Sequence, residues 1–207
     1  MNTDKIKSNL RDYYNLEAAD RNNRSENKAD WKIKQRGIFC DLIIKENKET
    51  LLEIGAGSGH DSKFFMDSGL KVTAVDLSGE MVKKCKEKGI DAYELDFYDL
   101  SALNKKFDCV YSMNCLLHVP KSDLPQVLKN IDNVLNENGL FYMGVYGGKN
   151  SEEERLNEFL PKPRLFTSYT EDTLKPVLNK VFEIISFDSI DIVSDMDFQS
   201  IIMRKKL

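Results

Sequence analysis

From Trp31 onward the chain alternates short runs rich in β-branched and aromatic residues with longer stretches whose apolar residues recur every three or four positions. The first kind reads as strands and the second as amphipathic helices, and their alternation predicts β-α units that build a mostly parallel sheet. Strands are predicted over residues 50–54, 71–75, 91–95, 107–112, 139–145, 182–187 and 199–204. An amphipathic run over 61–68 follows the first strand. Ser78 is placed to cap a helix that runs to Lys88 and stops at Gly89. Ser122 is placed to cap another through Leu135, with Pro125 harmless in its first turn. Thr170 would cap a third through Lys180, with Glu171 and Asp172 at its positive end and Pro176 as a local irregularity. Residues 189–198 are too few and too acidic for a helix, so the last two strands are predicted to be antiparallel neighbours. The pattern thus gives an α/β chain with a doubly wound, seven-stranded sheet, six strands parallel and the last reversed, behind a helical N-terminal cap. Two polar runs, 20–30 and 149–154, read as solvated connections or loop-helix junctions.

Composition narrows the class. The chain has 207 residues, 41% of them hydrophobic, which suits one globular domain with a full core. No stretch approaches the roughly 18 consecutive apolar residues of a membrane span, and the first residues lack the apolar core of a signal peptide. A cytoplasmic location is therefore expected. Cys40, Cys85, Cys109 and Cys115 form no C-x-x-C pair and only His60 and His118 stand beside them, so reduced, packed thiols are expected and no metal site. A net charge of -4 argues against a protein whose main partner is nucleic acid. A small-molecule partner is the default, with the chain working as a monomer or homodimer.

The most informative segment is Glu53-Ile54-Gly55-Ala56-Gly57-Ser58-Gly59-His60, where a buried strand feeds a glycine turn and then a helix. Such a turn lets a nucleotide-like ligand approach main-chain N–H groups. A dinucleotide fingerprint would need Gly or Ala at position 60, where His60 stands, and Glu53 would repel a pyrophosphate while suiting an ammonium group. No G-x-x-x-x-G-K-[ST] is present, which excludes a P-loop. Asp76 ends the second strand about 20 residues on, the spacing of a ribose clamp. Asp96 follows the third strand on the same rim, placed to accept from an adenine amino group, with Phe97 adding backbone or ring contact. Singly, either aspartate also reads as a turn cap. Three acids at three successive strand ends, behind one glycine turn, favour the ligand.

With these residues the sequence resembles the class I S-adenosylmethionine-dependent methyltransferases, strongly over about residues 50–145 and loosely elsewhere. The resemblance implies a Rossmann-like sheet in the order 3-2-1-4-5-7-6. It implies that Glu53, Gly55, Ala56, Gly57 and Gly59 hold the methionine part of S-adenosylmethionine, Asp76 the ribose and Asp96 the adenine side. Leu77 and Met81 would pack near ribose and adenine, and Met113 would touch the cofactor with backbone groups. It further divides the chain into a cap (1–46), a cofactor-binding core (47–146), a substrate lid (147–169) and a C-terminal helix and strand pair (170–207).

On the acceptor side, Leu116-Leu117-His118-Val119-Pro120 is similar to a stretch of many small-molecule methyltransferases. His118 is the candidate general base, the alternative being a packed histidine that donates to a carbonyl. Nothing near Cys115 in sequence would lower its pKa, and it reads as a packed thiol. Tyr14 and Trp31 of the cap, with Arg164 and Tyr169 of the lid, are the candidate acceptor-binding residues. Arg164 reads equally as a partner for an anionic acceptor group and as a surface arginine anchored by Phe166 and Tyr169. The expected activity is transfer of a methyl group to O or N of a small molecule by in-line displacement, releasing S-adenosylhomocysteine. The alternatives are a non-catalytic module that binds the cofactor or its product, and a methyltransferase acting on nucleic acid or protein. Ser112-Met113-Asn114-Cys115 stands where nucleic-acid enzymes often carry N-P-P-[YF]. A nicotinamide-dependent oxidoreductase is disfavoured by Glu53 and His60.

Overall fold

The structure, a computed structural model, describes residues 3–24, 29–156, 160–193 and 196–206. Two helices, α1 (Thr3–Arg24) and α2 (Asp30–Lys45), precede β1 (Thr50–Ile54), α3 (His60–Asp67), β2 (Lys71–Asp76), α4 (Gly79–Glu87), β3 (Asp91–Glu94) and β4 (Phe107–Met113). Then come α5 (Leu124–Val134), β5 (Leu135–Tyr146), β6 (Ser151–Arg155), β7 (Arg164–Ser168), α6 (Glu171–Leu178), β8 (Phe182–Val193) and β9 (Met196–Lys205). The main sheet has the order β3-β2-β1-β4-β5-β9-β8. Strands β1 to β5 pair in parallel, and β9 runs antiparallel to both β5 and β8. The order, the six parallel strands and the single reversed one agree with the sequence reading.

Both faces of the sheet are covered, which is why its central strands read as almost unbroken apolar runs. Alternate residues go to opposite faces. Leu52, Ile54, Val110, Phe141 and Met143 pack under α5 and α6, whose Leu128, Ile131, Leu174 and Leu178 are fully buried. Leu51, Cys109, Tyr111, Leu140 and Tyr142 face α2 and α3 through Phe39, Ile43 and Phe65. Helix α4 covers the β2–β3 edge with Val82 and Cys85.

Local chemistry sets the element ends, with some departures from the pattern. Ser78 caps α4 as expected, its Oγ accepting from the Met81 N–H at 3.1 Å. Ser122 does not cap α5. Asp123 holds the N-cap position with its carboxylate taken by the hydroxyls of Tyr98 (2.8 Å) and Thr3 (3.2 Å), and Ser122 Oγ donates to it. Thr170 sits at the N-cap of α6, yet its hydroxyl is shared with that of Thr173 instead of capping a backbone N–H, and the helix stops at Leu178. The polar run from Asp20 continues α1 as far as Arg24, stabilised by the i,i+4 pair Glu17–Arg21; residues 25–28 lie outside the described part. The run 149–154 contributes β6, which pairs antiparallel with β7 in a separate two-stranded ribbon. That ribbon was not anticipated, because the sequence of β6, SEEER, has no apolar residue; it is held by its ladder to β7, by the Ser151–Ser168 hydroxyl pair at 2.9 Å and by Glu152, which accepts from the Lys121 N–H at 2.7 Å.

Candidate functional site

The parallel sheet changes winding direction at β1, whose neighbours β2 and β4 belong to opposite halves, and a crevice opens beyond the carboxyl ends of these strands. A cavity of about 370 Å³ occupies it, of the size that holds small ligands. Its floor is Glu53 and Ile54 of β1 with the turn Gly55 to Ser58. One wall comes from Asp76, Leu77, Met81, Leu95 and Phe97, and another from Met113, Asn114, Cys115 and His118. Helix α1 closes the top with Leu10, Tyr14 and Arg21, and Lys32 of α2 joins them.

The turn is built for close approach. Gly55 has φ +71, and a Cβ there would collide with the side chain of Cys115. Gly57 has φ +55 and nothing within 4 Å of its missing Cβ, so its bare Cα faces open space. Ser58 is 3% exposed and its Oγ has no hydrogen-bond partner among the described residues, a buried polar atom in the wall of the cavity. Gly59, the N-cap of α3 at φ +81, does not line the cavity; a Cβ there would stand 2.6 Å from Ile90 Cδ1, so the glycine serves the packing of the turn on the β3 side.

The acids differ in their surroundings. Glu53 is 3% exposed and its Oε2 accepts from Ser62 Oγ. Asp76 accepts from the backbone N–H groups of Gly57 and Ser78, each at 2.8 Å, so it ties the glycine turn to the end of β2. Burial pushes its carboxyl above the ordinary range in spite of these bonds. Asp96 does not line the cavity: it is ion-paired with Lys7 of α1 at 2.8 Å and accepts from the Tyr98 N–H at 3.0 Å. At this end the cavity wall is formed instead by Leu95 and Phe97.

His118 sits in a short 3-10 turn, 116–118, after β4 and is 6% exposed. Its Nδ1 lies 2.6 Å from the Leu165 carbonyl oxygen, which accepts only, so the proton is on Nδ1. Nε2 then accepts from the Tyr14 hydroxyl at 2.7 Å. Burial, with Arg164 and Arg21 nearby, lowers the imidazole to about 3, and the ring is neutral near pH 7. Burial raises the Tyr14 phenol and the Cys115 thiol, leaving both protonated.

Of the four candidate acceptor residues, Tyr14 lines the cavity. Trp31 packs on Phe198 with ring centroids 4.4 Å apart, the Arg164 guanidinium lies 3.8 Å from the Tyr13 ring centroid, and Tyr169 is buried in the core at 5% exposure. None of these three reaches the cavity wall. Arg21, Lys32, Ser58, Asn114, His60 and Asp61 do, and sequence reasoning did not single them out as site residues. Ser58 and Asn114 flank predicted elements and were within reach of it. Asn114 also adopts φ +56 at the exit of β4, a conformation rare outside glycine. Arg21 and Lys32 are placed by how α1 and α2 lie across the sheet, which no local pattern encodes. Among the described residues no group of His, Cys, Asp and Glu is arranged to hold a metal ion, and no helix is long and apolar enough to cross a membrane. Cys40, Cys85 and Cys109 are buried free thiols and Cys115 is half-buried.

Known proteins resemble this arrangement. Residues 51–139 match the family profile of a methyltransferase domain. An uncharacterized methyltransferase of Oceanobacillus iheyensis is 25% identical over 175 residues, 80% of this chain and 81% of that relative. A malonyl-(acyl-carrier protein) O-methyltransferase of Hamiltonella defensa is 33% identical over 150 residues, 65% of this chain and 57% of the relative. Among solved structures, the 1,6-didemethyltoxoflavin-N1-methyltransferase of Burkholderia thailandensis, with bound 1,6-didemethyltoxoflavin and S-adenosylhomocysteine, superposes with a TM-score of 0.75 at 21% identity, covering 97% of this chain and 88% of that one.

Proposed function

We propose that the chain, whose residues 51–139 match a methyltransferase-domain profile, is a class I S-adenosylmethionine-dependent methyltransferase that methylates an oxygen or nitrogen of a small-molecule acceptor. The observation that carries this is the glycine turn: its open Gly57 and orphan Ser58 Oγ face the cavity, and the Asp76 carboxylate is hydrogen-bonded to the same turn. When bound, S-adenosylmethionine would supply a methyl group on a sulfonium to a lone pair of the acceptor's O or N, with the S–C electron pair leaving on S-adenosylhomocysteine and any proton on the acceptor atom passing to water.

The chain's own residues bind and align. Glu53 would hold the ammonium of the methionine part, Ser58 Oγ offers that end a further hydrogen bond, and Asp76 would accept from the ribose hydroxyls. Leu77, Met81, Leu95 and Phe97 supply the apolar wall for the adenine. Tyr14 and His118 form a fixed, neutral pair at the acceptor end, and we read them as orienting groups: the Nε2 lone pair is already engaged by Tyr14, and an imidazole lowered to about 3 takes up protons poorly at neutral pH. Alignment of nucleophile, methyl and sulfur then supplies much of the rate. The O-methylation and N1-methylation named for two of the relatives bracket the acceptor atom. The ribbon β6–β7 carries Leu165, the carbonyl partner of His118, and on this reading serves as the acceptor lid. The reading also places the enzyme in the cytoplasm as a monomer or homodimer that works without nucleic acid, consistent with its free thiols and net charge of -4.

Thermal unfolding with S-adenosylmethionine, S-adenosylhomocysteine, NAD and ATP in parallel tests the proposal. A ligand at 100 times its Kd adds about 2.7 kcal/mol, roughly 5–10 °C for a chain of this size. The two adenosyl sulfur compounds should produce the shift and Asp76→Asn should remove most of it; a shift with NAD alone, or with none of the four, would overturn the assignment. Turnover to S-adenosylhomocysteine with an acceptor panel separates an enzyme from a binding module.

A further inference from the structure

The cavity divides by charge. The lining acids Glu53, Asp61 and Asp76 belong to the β1–α3–β2 side, and Asp61 is already paired with Arg36 at 2.6 Å. The lining cations, Arg21 and Lys32, come from the two N-terminal helices. Arg21 is tied to Glu17 at 2.9 Å and stands 5.0 Å from the Tyr14 ring centroid. Lys32 differs: it makes no salt bridge among the described residues. Its ammonium lies 3.4 Å from the Tyr146 hydroxyl, 5.1 Å from the Trp31 ring centroid and 5.7 Å from that of Tyr146.

Position separates Lys32 from the cofactor. Tyr146 ends β5, which lies beyond β4 from β1 and three strand spacings from β2. At about 4.8 Å per spacing, the Lys32 end of the crevice is roughly 14 Å across the sheet from the strand that carries Asp76. Ribose at Asp76 and the amino group at Glu53 use the β2 and β1 ends, so Lys32 faces what is bound past β4. An ammonium held by ring faces and one long hydroxyl contact lacks an anion, and a carboxylate would form with it a charge-assisted hydrogen bond in a partly enclosed site.

We propose that the acceptor is an acidic small molecule whose carboxylate binds Lys32. The inference rests on the methyltransferase reading and narrows its acceptor class. Binding of matched probes to the protein saturated with S-adenosylhomocysteine tests it: benzoate, phenylacetate and hexanoate, each against its primary amide, followed by ligand-observed NMR. At least one carboxylate should bind about tenfold tighter than its amide. Lys32→Met and Lys32→Gln should abolish that preference and Lys32→Arg should keep it. All three variants should bind S-adenosylhomocysteine and 5′-methylthioadenosine as the wild type does. Equal binding of acid and amide in all three pairs overturns the proposal. So does a Lys32→Met that weakens S-adenosylhomocysteine but not 5′-methylthioadenosine, which would assign the lysine to the cofactor's own carboxylate. Failure of the wild type to bind S-adenosylhomocysteine at all would instead overturn the underlying methyltransferase reading.

Discussion

Gly55 and Gly57 stand two residues apart in one turn and should answer the same substitution differently. Each has positive φ, so alanine costs about 1–2 kcal/mol at either through the backbone alone. At Gly55 the new Cβ also meets Cys115, adding about 1–3 kcal/mol of overpacking. At Gly57 it enters the cavity, and its effect should fall on the ligand. Denaturant unfolding should rank Gly55→Ala as clearly the less stable, whereas calorimetry should find S-adenosylhomocysteine affinity reduced in Gly57→Ala by more than its stability loss implies. The reverse ranking would mean that Gly57 does not face the cofactor. His118 allows a second test at this scale. The folded ring stays neutral down to about pH 3, while the unfolded chain's histidine takes up a proton below about 6.5. Its contribution is therefore intact above pH 6.5 and erodes between 6.5 and 3 at up to roughly 1.4 kcal/mol per pH unit. Between pH 7.5 and pH 5 the wild type should lose about 2 kcal/mol more than His118→Gln. Parallel losses would show that the ring is charged or exposed in the folded protein.

Helix α1 is held by apolar and polar contacts together: Ile6, Leu10, Tyr13 and Ala18 are buried, Ile6 and Leu10 in a cluster with Leu165, and polar bonds tie the helix to α4 and the end of β3. Asn15 Oδ1 accepts from Ser78 Oγ at 2.6 Å and from the Glu80 N–H at 3.3 Å, thereby extending the N-cap of α4. Lys88 reaches Asn22 Oδ1 at 2.7 Å, and Lys7 reaches Asp96 at 2.8 Å. Leu10, Tyr14 and Arg21 from the same helix line the cavity, so α1 is both wall and cover. A helix at the chain end, packed outside the sheet and covering a cavity, opens more readily than the central strands. Amide exchange in α1 should be faster than in β1 without ligand and should slow on binding S-adenosylhomocysteine. Asn15→Ala, which removes the bonds to α4, should speed exchange in α1 while leaving β1 and β4 unchanged; equal protection of α1 and β1 in the free protein would refute the cover. These contacts also mark the limit of sequence reading at this scale. The main-sheet strands and α4 were legible because apolar period and a Ser cap agree there. The path of α1 and the ribbon β6–β7 were not, since both depend on partners distant in sequence. Thus Asp96, read as a cofactor ligand from its strand-end position, is occupied by Lys7.

Across the whole molecule, the order of the sheet brings together residues from both halves of the chain, and the side proposed for the cofactor is the more legible part of the cavity because one turn and two strand ends build most of it. The side proposed for the acceptor draws on α1, α2, the exit of β4 and the carbonyl of Leu165 at once; of the residues lining it, the sequence points to Tyr14 and His118 for the acceptor and to Met113 for the cofactor. The core that carries this arrangement lies on both faces of one sheet, so a loss on the face away from α2 and α3 should be felt globally and leave the site's geometry alone. Leu128 of α5 is fully buried against that face. Leu128→Ala should cost about 2–5 kcal/mol of stability. If the described elements unfold as one unit, saturating S-adenosylhomocysteine should stabilise this variant by as much as it does the wild type, about 2.7 kcal/mol at 100 times Kd, since linkage depends on affinity and not on where stability was lost. Asn15→Ala should show a smaller gain, because it loosens the cover the ligand binds under. Equal gains in both variants would mean that α1 adds nothing to the bound state. A reduced gain in Leu128→Ala alone would mean that the α5 face shapes the cavity after all.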